Sequence, residues 1–333
     1  MVRIAVVGVG YIGREHARAI QAHPEAELAL LVGTPRSAPA VQRLAAETGA
    51  AVSGAYATAL ADDSIDVVYL CTPNRLHAQQ ALAALAAGKH VFCEKPLCTT
   101  LEDCRRLVEA AERSDRLFMV GHSGRFQPIH VALKQMVSDG LLGDLCFGEA
   151  EYVHDIGPFL AGEGHQWWRH PEEGAFAVIG GGCHAIDHLR WVAGEIVAVS
   201  AYGTRRGLSD VPWDDTVVAS LRFASGAVGR CLVSVGAKTP YGFNFAFYGT
   251  KGSVKNADLY LASVPGPEGW MRMPIAVIRE HHTCAEELDH FLTCLRTGEK
   301  PLIDTRDGAR TVAACLAIAD ACRSGRSEPV ALL

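Results

Sequence analysis

The sequence has few charged residues and lacks the features typical of nucleic-acid-binding and membrane proteins. Charged residues make up 20% of the 333 residues, and the formal net charge is −6, which argues against a nucleic-acid surface as the main function. No apolar run reaches the roughly 18 to 20 residues that a membrane-spanning helix needs. No charged and apolar leader precedes the first predicted strand. We therefore expect a cytoplasmic protein that binds neither nucleic acid nor membrane.

The cysteines lack the arrangement of a disulfide framework. There are eleven of them, an odd number, and no two form a CxxC pair. This pattern predicts reduced thiols that serve as small core residues. Internal repeats, low-complexity tracts and long charge blocks are also missing. A chain of 333 residues with 49% hydrophobic residues is then expected to form a soluble globular protein of two domains.

What the chain does have begins near its N-terminus. The apolar run Ile4 to Val7 turns into Gly8-Val9-Gly10-Tyr11-Ile12-Gly13, followed by residues that can continue as a helix. This order predicts a strand, a tight turn and a helix that together bind a dinucleotide. Gly8 would allow the turn, Gly10 would admit a pyrophosphate, and Gly13 would let the helix pack on the strand. The N–H groups and positive dipole end of the helix would face the phosphates.

The cofactor preference depends on the end of the second predicted strand, Leu28 to Val32. An NAD-specific site usually has an acidic residue about 20 residues beyond the glycine motif, where it binds the ribose hydroxyls. Here that position is Gly33, with Thr34 and Arg36 just after it. A hydroxyl and a guanidinium could hold a 2′-phosphate, so we expect NADP to be favoured over NAD. The alternative is that Arg36 is only a solvated turn residue.

The pattern of apolar runs predicts an α/β protein with two domains. Strands alternate with helices up to a last strand at Leu117 to Gly121, which predicts a parallel Rossmann sheet covered on both faces. Beyond it, strand-like segments follow one another, and Ser225-Gly226 is a hairpin signal. We therefore predict a dinucleotide-binding Rossmann domain at 1–122. A second α/β domain at 123–333 would hold a predominantly antiparallel sheet, with helices on one face, and would bind substrate and form oligomers.

Lys95 is the first candidate for chemistry outside the glycine motif. It lies in Glu94-Lys95-Pro96, directly after the predicted strand His90 to Cys93. Ligands collect at the carboxyl ends of the strands in an open parallel sheet, so Lys95 would project toward the cofactor. The alternative is a surface lysine in a loop.

The second candidate is the segment Gly180 to Trp191, which has three glycines and then a helical pattern. On that helix His184, Asp187 and His188 are three or four residues apart and would share one face. The His-x-x-x-His spacing is found in zinc proteases, but Ala185 stands where their glutamate is expected and no third ligand is evident. We predict no metal site and a histidine acting as general acid or base near a carboxylate.

Other residues have a functional and a plainer interpretation. Trp167, Trp168 and Trp213 could form a wall against sugar rings, or could simply pack in the core. His281 and His282 near Cys284 could bind a metal, but an ordinary helix entrance is expected. The acidic pair Glu286-Glu287 is expected on a solvated face.

Together these motifs identify a family resemblance that covers nearly the whole chain. The sequence resembles the glucose–fructose oxidoreductase/inositol dehydrogenase/rhizopine-catabolism (Gfo/Idh/MocA) family. The matching stretches are GVGYIGREH, CTPNRLHA at Cys71 to Ala78, GKHVFCEKPL at Gly88 to Leu97, VGHSGRFQP at Val120 to Pro128, and GGGCHAIDHLRW. The resemblance implies a Rossmann domain, an open-faced α/β domain that makes subunit contacts, and NAD(P)-linked oxidation or reduction of a sugar, cyclitol or related hydroxyl or keto compound.

The resemblance also implies roles for individual residues. Lys95 would orient the reacting oxygen, His184 would transfer the proton, and Asp187, Arg125 and Trp168 would contact the substrate. The expected cofactor contacts are Gly8, Gly10, Tyr11, Ile12, Gly13, Thr34, Arg36, Thr72, Pro73, Asn74, His77, Glu94 and Lys95. We expect a polyhydroxylated or keto small molecule as substrate, and a homodimer or homotetramer.

One departure from the family leaves two rival functions open. Many members have an aspartate four residues before the histidine, and here that position is Gly180. One rival is a glycoside hydrolase that oxidises a sugar transiently with retained NAD, so that no net NAD(P) turnover occurs. The other is a nucleotide-sensing protein without catalysis, against which the presence of both Lys95 and His184 argues.

Overall fold

A computed structural model describes residues 1–162, 167–170, 177–264, 269–275 and 282–333. The side chain of Arg36 and all of His281 lie outside the described part of the chain.

The first half of the fold is a six-stranded parallel sheet with helices between its strands. The strands are β1 (Val2–Val7), β2 (Ala26–Val32), β3 (Ala51–Ser53), β4 (Val67–Leu70), β5 (His90–Glu94) and β6 (Phe118–Gly121). The helices are α1 (Tyr11–Ala22), α2 (Ala38–Thr48), α3 (Tyr56–Ala61), α4 (His77–Ala86) and α5 (Leu101–Glu112). The strand order is β3-β2-β1-β4-β5-β6, and every residue of β4 and β6 is buried. This confirms the predicted Rossmann sheet, because strands covered on both faces must be apolar throughout.

The second half is a nine-stranded sheet with helices on one face. Its strands are β7 (Leu145–Val153), β8 (Ile196–Thr204), β9 (Thr216–Phe223), β10 (Val228–Ser234), β11 (Gly242–Gly249), β12 (Gly252–Lys255), β13 (Asp258–Leu261), β14 (Met271–Arg272) and β15 (Glu328–Pro329). The helices are α6 (Pro128–Ser138), α7 (Gly157–Ala161), α8 (Cys183–Ala193), α9 (Cys284–Thr297) and α10 (Thr305–Ser324). Neighbouring strands are antiparallel except β7 and β10, which run parallel.

One face of this second sheet is open. Along β9 exposed and buried residues alternate, so that Val217 is buried while Val218 points outward. Helices α8 and α10 pack on the inner face. These observations confirm the expected mostly antiparallel, open-faced sheet. Within the described ranges, no helix is long and apolar enough to cross a membrane. The eleven cysteines are free thiols, and nine of them are buried.

The last two helices pack back onto the first sheet. Helix α9 lies against α1, and α10 lies against α5 and β6. The amide of Val120 donates a hydrogen bond to the carbonyl of Ile303, with an N to O distance of 3.0 Å. The boundary at residue 122 stays a prediction, because residues near the C-terminus complete the packing around the N-terminal sheet.

Candidate active site

The turn between β1 and α1 has the shape that a dinucleotide pyrophosphate requires. Gly8 has φ +93°, and a Cβ added there would lie 2.5 Å from the carbonyl oxygen of Cys71. A Cβ on Gly13 would lie 1.9 Å from the carbonyl oxygen of Gly8, so helix and turn are in direct contact. Gly10 is the N-cap of α1 and has no atom within 4 Å of an added Cβ, so its outer side is open. Free N–H groups at this helix end fit a phosphate anion.

The position after β2 excludes a side chain. A Cβ on Gly33 would lie 2.4 Å from Cγ2 of Val41 and 2.8 Å from Oγ of Ser37. The acidic residue of an NAD-specific site therefore cannot stand here without repacking of α2. Thr34 is exposed, and its backbone N–H donates to Oγ of Ser37 at 2.9 Å.

The segment after β4 is tied to the loop that follows β5. His77 contacts the carbonyl oxygens of Thr72 and Pro96 through its two ring nitrogens, at 2.8 and 2.7 Å. Burial lowers the pKa of His77 below its ordinary value despite these two acceptors, and a neutral ring donates to only one of them. Pro73 precedes the short helical turn that begins at the buried Asn74. His77 thus connects the segment after β4 with the loop after β5.

Glu94 points into the protein rather than toward the cofactor. Its Oε1 lies 2.8 Å from Nε2 of His16 on α1, and its Oε2 accepts the backbone N–H of Lys95 at 3.1 Å. Burial acts to raise the pKa of Glu94, but the hydrogen bond and charge of His16, with Lys95 and His282, lower it overall. The geometry therefore favours a role in fixing the base of Lys95, and it gives no support to a direct cofactor contact by Glu94.

Lys95 reaches across to the second half of the fold. Its Nζ donates to the carbonyl oxygen of Gly180 at 3.1 Å. Gly180 lies in a π-helical turn, Val178–Gly182, directly before α8. A Cβ on Gly180 would approach the indole of Trp168 to 3.2 Å. A backbone carbonyl thus accepts from Lys95, and the Trp168 indole lies beside the position of the missing Gly180 side chain.

His184 lies beside Lys95 between two rings. Its ring is stacked on Tyr152, with centroids 5.9 Å apart and planes at 19°. The ring of His122 meets it edge-on, at 6.4 Å and 89°. Burial, followed by the charge of Lys95, holds the pKa of His184 well below its ordinary value. The ring is therefore neutral near pH 7 and able to accept a proton.

Asp187 and Arg125 pair with each other. Nε and Nη2 of Arg125 donate to the two carboxylate oxygens of Asp187 at 2.9 and 2.8 Å, and Thr311 donates to Oδ1 at 3.0 Å. Burial acts to raise the pKa of Asp187, but the charge of Arg125 lowers it far below its usual range. Both side chains are buried. The expectation that these two residues contact substrate gains no support, because each already satisfies the other.

His188 does not share the surroundings of His184, although both are on α8. Its ring lies 4.3 Å from that of His130, among the rings of Phe243, Phe245 and Phe247. Burial holds the pKa of His188 well below its ordinary value. The His-x-x-x-His pair therefore does not converge on one point, which removes the geometric basis for a zinc site on this helix.

The structure shows where the tryptophans and Glu287 lie. Trp213 is buried, and its Nε1 donates to the carbonyl of Trp168 at 3.0 Å, so it supports Trp168 from behind. Trp167 is half-buried beside Trp168. The expectation of a solvated acidic face on α9 is wrong for Glu287, which is buried. A carboxylate oxygen of Glu287 lies within 4.8 Å of a ring nitrogen of His16 and of the sulfur of Cys284. Helix α9 turns this residue toward α1 rather than toward water.

Sequence reasoning missed three rings that surround the site. His122 directly follows β6 at the same sheet edge as Lys95, so the strand-end argument used for Lys95 could have found it. Tyr152 lies on β7, and its hydroxyl is 3.1 Å from Nε2 of His154. Sequence spacing alone does not connect Tyr152 and His154 with His184, because His184 lies on a different element, α8.

Comparison with known proteins agrees with this architecture. The model of an oxidoreductase family with an NAD-binding Rossmann fold (GFO_IDH_MocA) matches residues 2–122, and the GFO/IDH/MocA C-terminal domain matches residues 130–255. Inositol 2-dehydrogenase 3 of Saccharopolyspora erythraea is 30% identical, over 99% of this chain and 96% of that protein. The 1,5-anhydro-D-fructose reductase of Ensifer adhaerens is 28% identical over 81% of each.

A solved structure has the same fold. Levoglucosan dehydrogenase in complex with NADH has a TM-score of 0.90 and 23% identity, and the match covers 100% of both chains. At that identity the likeness shows the fold alone. The chain therefore belongs to the GFO/IDH/MocA family of oxidoreductases, with its NAD-binding Rossmann fold in residues 2–122.

Proposed function

We propose that this protein transfers a hydride reversibly between a nicotinamide dinucleotide and a polyhydroxylated or keto small molecule. The observation that carries the proposal is that Lys95, at the end of β5, reaches the turn directly before α8, where its charge acts on His184. Lys95 is held by the carbonyl of Gly180 at 3.1 Å. His184 is neutral beside it, for the reasons given above. A cation and a neutral base at one point suit the exchange of a hydroxyl for a carbonyl.

Each residue has one task in this reaction. The nicotinamide, when bound, supplies or accepts the hydride. Lys95 holds the reacting oxygen and stabilises the negative charge that develops on it. In oxidation His184 takes the hydroxyl proton, and in reduction it returns a proton to the carbonyl oxygen. The glycine turn and the Thr72 to His77 segment hold the dinucleotide.

The proposed cofactor preference is NADP over NAD. Gly33 removes the carboxylate that would repel a 2′-phosphate, and its packing against Val41 keeps that position free of side chains. The N–H of Thr34 and the hydroxyls of Thr34 and Ser37 stand together in the exposed loop after β2. Arg36 in the same loop would add the charge for a phosphate.

The proposed substrate class follows from the surroundings and from the relatives. Two relatives are named for inositol and for 1,5-anhydro-D-fructose, both polyhydroxylated rings. Trp168 lies against Gly180 and offers an aromatic face to the apolar side of such a ring. The paired Tyr152 and His154 offer polar atoms to hydroxyl groups.

The test is a fluorescence titration with NADPH and NADH, followed by turnover assays with sugars, cyclitols and keto-sugars. We expect tighter binding of NADPH and oxidation or reduction of at least one compound. Lys95→Met should keep dinucleotide binding and lose turnover by about 100-fold or more, whereas Lys255→Met on the exposed end of β12 should lose neither. Equal turnover of the two variants would refute the role of Lys95.

The same assays separate the rival functions. Cleavage of a glycoside without net change in nicotinamide absorbance would favour the redox-assisted hydrolase. Dinucleotide binding without turnover of any compound would favour a nucleotide sensor. Tighter binding of NADH would refute the phosphate-site argument and leave the hydride chemistry in place.

We also propose a homodimer or homotetramer in the cytoplasm. On the open face of the second sheet, Tyr202 pairs in register with Val218, which pairs with Leu232. Tyr202 is 78% exposed, so this row would gain from a subunit contact. Eleven free thiols suit a reducing compartment. Light scattering on the eluting protein measures the assembly, and a monomer would refute it.

A further inference from the structure

We propose that His122 is a positioning residue that couples the buried Asp187 carboxylate to His184. This inference rests on the proposed function, in which His184 carries the proton. His122 lies in the VGHSGRFQP stretch, and its ring makes no hydrogen bond within the described part of the chain.

His122 is buried at the sheet edge that carries Lys95. The chain turns sharply after β6, where the His122 amide donates to the carbonyl of Val120 at 3.1 Å. Both ring nitrogens are buried, and neither has a hydrogen-bond partner among the described residues. In that part of the chain, no other histidine has both ring nitrogens in this state. A buried imidazole with two unpaired nitrogens calls for a functional explanation, because each unpaired group costs free energy.

Asp187 is the natural partner on one side of this ring. Nδ1 of His122 lies 3.9 Å from Oδ2 of Asp187, about 1 Å beyond hydrogen-bond distance. Arg125 and Thr311 fix the carboxylate, so the adjustment falls to the His122 ring. Burial lowers the pKa of His122. The ring is therefore neutral, and the carboxylate selects the tautomer with the proton on Nδ1.

His184 is the partner on the other side. The two imidazole rings are perpendicular, with centroids 6.4 Å apart. The charged or titratable groups that face His184 are Lys95 from the end of β5, His122, Tyr152 stacked on its ring from β7, His282 before α9, and Asp187 on α8 itself. Of these, Asp187 alone acts to raise the pKa of His184, and its Oδ2 lies 3.9 Å from Nδ1 of His122.

The proton transferred in the proposed step has a defined donor and a defined acceptor. In oxidation one proton leaves the substrate hydroxyl and is bound by His184, which becomes an imidazolium. His122 keeps its single proton on Nδ1 and transfers none. Asp187 stays ionised, and its charge stabilises the imidazolium through the oriented His122 ring. In reduction the same proton returns to the substrate oxygen.

The experiment is nitrogen NMR of the full chain with labelled histidines, which needs no substrate. We expect His122 to show a neutral ring with the proton on Nδ1 between pH 6 and 8. His122→Phe should lower the pKa of His184 further. His122→Asn, whose amide nitrogen stands near the place of Nδ1, should restore it in part. A proton on Nε2 of His122, or a His184 pKa equal in wild type and His122→Phe, would overturn the proposal.

Kinetics add a second readout that a purely structural role would not give. With any substrate that turns over, His122→Phe should lower kcat about 10-fold with little change in KM, and His122→Asn should recover part of the loss. Equal losses in both variants, with lowered melting temperatures, would mean packing alone. If no substrate is turned over, the NMR result still decides the coupling, so failure of the proposed function and failure of this inference remain distinguishable.

Discussion

The buried pair His130 and His188 should make the protein sensitive to acid, and His130→Phe measures by how much. The His130 ring packs on His188 and on Phe243 and Phe245, and its Nδ1 lies 2.8 Å from the carbonyl oxygen of Gly124. Burial, opposed by the Gly124 carbonyl and by Asp187, lowers the pKa of His130 to about 4. The folded protein therefore keeps this ring neutral in mild acid.

The magnitude follows from the difference between the folded and unfolded states. The unfolded chain binds a proton on this residue below a pKa of about 6.5, whereas the folded chain does so only near pH 4. Stability is therefore complete above pH 6.5 and is lost as the pH falls toward 4. Between pH 8 and pH 5 this one group should remove about 2 kcal/mol from the free energy of unfolding.

The assay is urea unfolding of wild type and His130→Phe at pH 8 and at pH 5. At pH 8 the variant should lose about 1 kcal/mol, because the Gly124 carbonyl loses its donor. Between the two pH values the variant should lose about 2 kcal/mol less than wild type does. The difference in unfolding free energy between the two proteins at pH 8, where the ring is neutral in both states, measures the effect of the substitution on packing and hydrogen bonding alone. An identical pH dependence in the two proteins would refute the assignment of a neutral buried ring.

Two further pairs of substitutions separate packing from cofactor binding and from ionisation. Gly13→Ala should lower the melting temperature, because the new Cβ would lie 1.9 Å from the carbonyl oxygen of Gly8, whereas Gly10→Ala should leave it unchanged and weaken NADPH binding in a fluorescence titration. Equal effects of both on melting would contradict this division. Glu287→Gln should change the free energy of unfolding at pH 7 by less than about 1 kcal/mol, since burial and the charge of Glu94 keep the pKa of Glu287 well above its usual range and the group neutral. Glu94→Gln should cost more in the same urea assay, about 1.5 to 3 kcal/mol, because it breaks a charged hydrogen bond to His16; a larger loss for Glu287→Gln would show an ionised Glu287.

The sequence predicts those parts of the fold in which neighbouring residues carry the information. The run from Ile4 to Gly13 contains its strand, its turn and its helix start within ten residues, and β1 and α1 lie as the pattern indicates. The hairpin between β9 and β10 is equally local, because Gly226 has φ +91° where Ser225-Gly226 marks the turn. Alternation along β9 also predicts which side chains point outward.

The parts that could not be predicted depend on residues far apart in the chain. Arg125 and Asp187 are 62 positions apart, and only the packing of the two sheets turns their side chains toward each other. Glu287 has the composition of a solvated helix face, yet α9 packs on α1 and buries it. Gly180 looked like a missing carboxylate, and only the structure shows a carbonyl for Lys95 and the Trp168 ring in its place.

The parallel pairing of β7 with β10 sets which part of the molecule is free to diversify. Two parallel neighbours cannot be joined by a hairpin and need a long crossover, which here runs through residues 154–227 and holds Phe159, Trp168, Gly180 and His184. Changes at Trp168, which contacts Gly180, would alter the surroundings of Lys95 while the ladder of β7 and β10 keeps its register. Residues of this crossover outside β8 and β9 could therefore change to recruit new substrates, while β8 and β9 keep their places in the sheet.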